Sequence, residues 1–195
     1  MTHSELIDDS KRRMAKHIEL ATKTLPQLSH ISFNKPPAPG KWSVAQVLAH
    51  ILITLELYYG KMDPALERAQ AVQGHEQQVY KMGFIGGQIV SWMQNPKRKF
   101  PKFKLIQPKA ADAPEPIHES IVDDYLAALA DFQQRLDHWA QYDLRKTRFP
   151  NPLFSPHKFQ LGDAILEHVI HFERHWSQIE RTIAAVEPPA KAPAA

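Results

Sequence analysis

Residues 41–60 read KWSVAQVLAHILITLELYYG, and they announce a helix with its start fully specified. Ser43 is of a type whose side-chain oxygen accepts a first-turn N–H, and Gln46, three residues later, completes a capping box. Trp42 and Val47 occupy the two halves of a hydrophobic staple. Val44, Val47, Leu48, Ile51, Leu55 and Tyr58 then keep helical spacing as far as Gly60. One polar residue breaks that apolar face. His50 sits beside Val47, Ile51 and Thr54, so its imidazole should point inward or along a helix seam.

Working outward, the same periodicity predicts a first helix from about Ser4 to Leu25, stopped by Pro26 and a proline-rich connection. Pro64 can open a further helical turn, and ALERAQAVQGHEQQVYKM is expected to continue as helix with an interruption at Gly74. Residues 83–117 have scattered glycines and prolines and no sustained period, and the pattern does not separate helix from strand for IVSWM. Helix resumes near His118 or Ser120 and lasts to about Tyr142, with Tyr125, Leu129, Phe132, Leu136 and Trp139 on one face. The loop RFPNPLFSPHKF follows, and a last helix runs from near Gln160 to about Ala185. Four amphipathic helices without alternating strands imply an all-α four-helix bundle with a long irregular insertion between the second and third core helices. The expected domain spans residues 1–186, and the Pro/Ala-rich tail 187–195 has too little to bury to be ordered.

Composition narrows the function classes. The 195 residues contain no cysteine, which removes disulfides, thiolate metal sites and cysteine nucleophiles and suits a reducing cytoplasm. The N-terminus has no apolar run of a secretory signal, and LAHILITLELYY is too short to span a bilayer, so no membrane partner is expected. Lys97, Arg98, Lys99, Lys102, Lys104 and Lys109 carry six positive charges without an intervening acid. Since the chain totals +3, the remainder stands at −3 and the basic character belongs to the loop 97–109. That loop, with Trp92, Phe100 and Phe103 beside it, is a candidate contact for polyanions. A solvated, proline-spaced loop with core-anchoring aromatics is the plainer reading, and no nucleic-acid partner is expected.

Of the eleven histidines, three fall in EHVIHFERHWSQIE, residues 167–180. Residues four apart on a helix are neighbours, so His171 and His175 can reach one metal ion. His168 and His171 can do so as well, but His168 and His175 lie about two turns, roughly 10.5 Å, apart along the axis. His171 therefore belongs to either pair. Two imidazoles make a weak site, and a third donor must come from another helix. His17 lies among Arg12, Arg13 and Lys16, which repel a cation. His138 is placed near a helix end facing solvent. His50 is favoured by position. Glu167 and Glu173 could hold a ligand's far nitrogen, although solvated acids are the simpler reading of both.

Other catalytic constellations fail. There is no HExxH, no G-x-S-x-G elbow, and the single ExxH, Glu115 to His118, lies in a proline-rich loop rather than on paired helices. GFIGGQ lacks both the spacing and the strand–turn–helix setting of a dinucleotide fingerprint.

Two blocks carry a resemblance. PAPGKWSVAQVLAHI resembles the second-helix signature of the DinB/YfiT-like family, in which a tryptophan and a serine precede an inward histidine by about two turns. HVIHFERHWSQIERT resembles that family's last-helix signature, a histidine pair four apart followed by a small residue, glutamine and isoleucine. NPLFSP is similar to the loop before the last helix in one branch, whereas the basic loop has no counterpart. The resemblance implies a four-helix bundle, often homodimeric, with a divalent metal ion (zinc, nickel or iron) on His50, His171 and His175 and open coordination positions. It gives His168 no ligand role. It also implies a metal-dependent enzyme, a hydrolase or a transferase using a low-molecular-weight thiol such as mycothiol, bacillithiol or glutathione. The rival expectations are a non-catalytic binding or stress-response module on the same fold, and a polyanion binder acting through residues 97–109.

Overall fold

The structure is a computed structural model that describes residues 1–72, 74–95, 98, 103–108, 116–154 and 157–187. Residues 188–195 of the expected tail, and Lys97, Lys99, Phe100, Lys102 and Lys109 of the basic loop, lie outside the described residues. Among the described residues the fold is all-α apart from one small hairpin. Its helices are α1 (His3–Thr24), the short α2 (His30–Asn34), α3 (Val44–Glu67), α4 (Phe84–Gln94), α5 (Ile121–Trp139) and α6 (Leu161–Val186).

The capping box that opens α3 is formed as read. Ser43 Oγ accepts from Gln46 N at 3.2 Å, and Gln46 Oε1 accepts from Ser43 N at 2.9 Å. The helix does not stop at Gly60 but runs through Pro64 to Glu67, because Met62, Ala65 and Leu66 are buried and their packing outweighs the lost hydrogen bond. Beyond it the expected helix through ALERAQAVQGHEQQVYKM is absent. The segment turns at Gly74, whose φ of 77° favours glycine. It then lies along the start of α1, where Gln78 O and Glu76 O accept from His3 N and Ser4 N. Those N–H groups have no partner inside α1, so the loop satisfies a helix end that would otherwise be orphaned.

α1 packs on α5 and α6, and α3 packs on the same pair. Side-chain pairs give the directions. Arg13 meets Glu173 and His17 meets Trp176, so α1 and α6 run parallel. Lys11 meets Asp137 and His17 meets Tyr125, so α5 runs against α1. His50 meets His171 and Tyr58 meets Glu167, so α3 runs against α6. α3 and α5 therefore run the same way although they are consecutive long helices, and the chain between them must travel back along the bundle. That return is the long insertion.

The insertion contains a helix, which resolves the ambiguity of IVSWM. α4 lies parallel to α6 and is held at both ends by it. The Asp163 carboxylate accepts from Gly83 N, at 3.3 and 3.1 Å, at the N-terminus of α4. The Arg174 guanidinium donates to Met93 O, Asn95 O and Arg98 O at its C-terminus. Each charge complements the helix dipole. Gly86 permits the approach, since a Cβ there would stand 2.2 Å from Asp163 Oδ2. With α4 on its outer side, every residue from Leu161 to Ile170 is buried.

RFPNPLFSPHKF is more regular than expected. Arg148–Pro150 (β1) and Lys158–Gln160 (β2) pair antiparallel with Phe149 opposite Phe159, both almost fully buried. Asn151 Oδ1 accepts from Leu153 N and Phe154 N and shapes the turn out of β1. Among the described residues no helix is long and apolar enough to cross a membrane.

Candidate metal centre

His50 lies two turns into α3 and is 4 % exposed, whereas His171 and His175 stand one turn apart on α6 and are only partly buried. The antiparallel packing of α3 on α6 brings the three rings together. Ring centroids are 5.2 Å apart for His50 and His171, 4.7 Å for His50 and His175, and 4.4 Å for His171 and His175. One nitrogen of each ring lies within 4.8 Å of the others, and this is the only group of three or more such donors among the described residues.

Hydrogen bonds fix which nitrogens converge. His50 Nδ1 faces the carbonyl of Ile106 at 2.7 Å, and a carbonyl only accepts, so Nδ1 carries the proton and Nε2 the lone pair. His175 Nδ1 donates to Gln178 Oε1 at 3.1 Å and likewise leaves Nε2 as the base. His50 Nε2 and His171 Nε2 are 3.2 Å apart. Two lone pairs do not face each other at that distance without a proton or a cation between them. Tetrahedral coordination at ~2.0–2.1 Å separates two ligand nitrogens by roughly 3.3 Å, so the observed spacing fits a shared ion.

Electrostatics keeps the rings in the ligating form. Burial lowers the pKa of His50, against the opposing pull of the Ile106 carbonyl. His171 falls well below 6.5 through burial and the neighbouring His175 and His50. His175 falls to about 3 through burial and the neighbouring His50, against the opposing pull of Gln178. All three are neutral at pH 7, and neutral imidazole is what a metal needs. Three such donors leave at least one position for another ligand, as catalytic sites do and closed structural sites do not.

The other candidates fall away. His17 is a core histidine whose Nε2 pairs with Tyr125 OH at 2.7 Å, and Arg13, its supposed cationic neighbour, turns to Glu173. His138 is exposed and packs edge-on against Tyr142. His168, which the resemblance gave no ligand role, is buried and stands outside the triad. Its Nδ1 donates to Ala164 O, its ring packs on Tyr58 and Phe132, and its Nε2 has no hydrogen-bond partner among the described residues. Glu173 is the surface acid expected. Glu167 is not: it is 5 % exposed and takes Tyr58 OH on both oxygens at 2.9 Å rather than meeting solvent.

The model of the DinB superfamily matches residues 13–179, which include α3, α6 and all three histidines. The chain belongs to the DinB superfamily. No curated protein and no solved structure matches it significantly. Within this DinB-superfamily chain, three groups around the histidines escaped the sequence reading. The Trp42 ring, just before the N-cap of α3, lies 4.9 Å from that of His50. Gln178 stands three residues after His175 and was visible as part of the last-helix signature. The Ile106 carbonyl had no signal at all, because any residue supplies one.

Proposed function

We propose that the chain is a metalloprotein that holds one divalent transition-metal ion on His50, His171 and His175, and that it is a metal-dependent enzyme of the transferase or hydrolase type. The 3.2 Å approach of His50 Nε2 to His171 Nε2, with His50 Nδ1 already committed to a carbonyl, is the observation that carries the reading. A histidine-only set accommodates zinc, nickel or iron. When bound, such an ion supplies Lewis acidity and lowers the pKa of a bound water or thiol. The residues of the chain do the rest. Ile106 and Gln178 hold two rings with Nε2 inward, burial keeps the imidazoles unprotonated, and Trp42 covers one side of His50. A low-molecular-weight thiol is the co-substrate class we favour, since an open site of neutral donors binds a thiolate without competing charge.

Metal analysis of protein purified without a histidine tag is the test. We expect close to one ion per chain in the parent and at least tenfold less in His171→Ala, because a two-imidazole remnant is a weak site. A parent that binds no zinc, nickel or iron at neutral pH refutes the reading.

A further inference from the structure

We propose that residues 103–108 form a strap whose docking is coupled to the metal site through His50; the inference rests on the metal reading above. The strap descends from the long insertion and contains one short 3-10 turn, Lys104–Ile106. Among the described residues, two side-chain contacts fasten it. The Phe103 ring meets Phe154 edge-on at 5.1 Å, on the turn that Asn151 shapes, and the Ile106 carbonyl receives the Nδ1 proton of His50 at 2.7 Å. Pro108 is buried, but Lys104 and Leu105 face solvent, with Leu105 60 % exposed. Phe103, Ile106 and Gln107 are half-buried, so the strap lies on the bundle by one side only, and such a short, one-sided segment opens at less cost than the core helices.

The one polar fastening among the described residues is also the group that orients a metal-binding ring. An ion on Nε2 draws electron density from the imidazole and makes Nδ1–H a stronger donor to Ile106. In return the carbonyl makes Nε2 more basic and stops the ring from turning away. The Ile106 carbonyl is thus a positioning group, and removal of such a partner typically weakens metal binding by about 10–100-fold. Linkage requires the same factor in the other direction, so metal should close the strap by as much as the strap tightens the metal.

Trypsin cleavage after Lys104, followed by mass spectrometry of the new Leu105 terminus, reports strap opening when opening is faster than cleavage. Zinc affinity is measured on the same samples by competition with a chromogenic chelator. We expect saturating zinc to slow this cleavage roughly 10-fold or more in the parent and to leave the rate in His171→Ala unchanged. Phe103→Ala should weaken zinc binding about 10–100-fold and lose the protection, while Leu105→Ala, at a solvent-facing position, should change neither. Stoichiometric zinc binding with an unaltered rate of cleavage after Lys104 overturns the coupling and leaves the metal site standing. Absence of zinc binding overturns both.

Discussion

Glu167 is a carboxyl group buried one helical turn before His171, with Tyr58 as its hydrogen-bond partner and no cation bonded to it among the described residues. Desolvation raises its pKa from 4.5 to about 8, against the lowering effect of the Tyr58 hydroxyl. The folded protein then holds this proton over a pH range in which the unfolded chain has released it. A raised carboxyl pKa gives stability that is complete below about 4.5 and lost as pH climbs toward 8. From those two values the cost grows by on the order of 3 kcal/mol between pH 5 and pH 8. Glu167→Gln keeps the shape and a hydrogen bond to Tyr58 but cannot ionise, so it should escape that cost. Urea unfolding of parent and variant at pH 5, 6, 7 and 8 provides the comparison, with chelator present throughout because a nearby cation would favour the carboxylate. The variant should gain on the parent steadily, by roughly 3 kcal/mol across the range, while other titrating groups cancel in the difference. A difference that stays flat within about 0.5 kcal/mol, the size of ordinary surface effects, would refute the claim that Glu167 is protonated in the fold.

His17 carries the opposite pH dependence. Burial lowers its pKa to about 4, so its contribution is present above 6.5 and lost as pH falls. The parent should lose about 2 kcal/mol between pH 7 and pH 5 that His17→Gln retains, read from the same urea curves. Gly86→Ala should destabilise by about 1–3 kcal/mol, since its Cβ would overlap Asp163 and push α4 from α6. Gly87→Ala, whose Cβ meets only Met82 Cβ at 3.8 Å, should be neutral or slightly stabilising, and thermal melts of the two variants beside the parent measure both effects.

The four long helices could be read because each declares itself locally. Ser43, Gln46 and the apolar spacing after them specify α3 without reference to the rest of the chain, and the packing of α3 only extends it past Gly60. The insertion could not be read for the converse reason. Gly86 and Gly87 lower the helix propensity of α4, and with Gly83 before them they look like loop residues until Asp163 and Arg174 of α6 are seen to hold its two ends. A segment that is helical because of a partner 80 residues away has no periodic signature of its own. The same holds for residues 75–80, which forgo helix because the orphan N–H groups of α1 offer better bonds.

The site divides along the same line. His171 and His175 are legible as a pair because helical geometry alone puts them on one face, but that geometry equally allowed His168 with His171. What decides between them is the rotation of α6 in the bundle: His168 turns toward Tyr58 and Phe132 in the core, while His175 turns toward His50. Rotation is set by the whole apolar face of α6 and so lies beyond any spacing rule. The orienting groups around the ligands are legible only in part. Gln178 is a side chain at a fixed offset and leaves a mark in the sequence. Ile106 acts through its backbone, so its part in the site is a property of where the chain returns, and substituting the residue would leave that carbonyl in place. It follows that the sequence constraint protecting the His50 hydrogen bond should fall on residues that anchor the strap, Phe103 and Phe154, rather than on the residue that makes the bond.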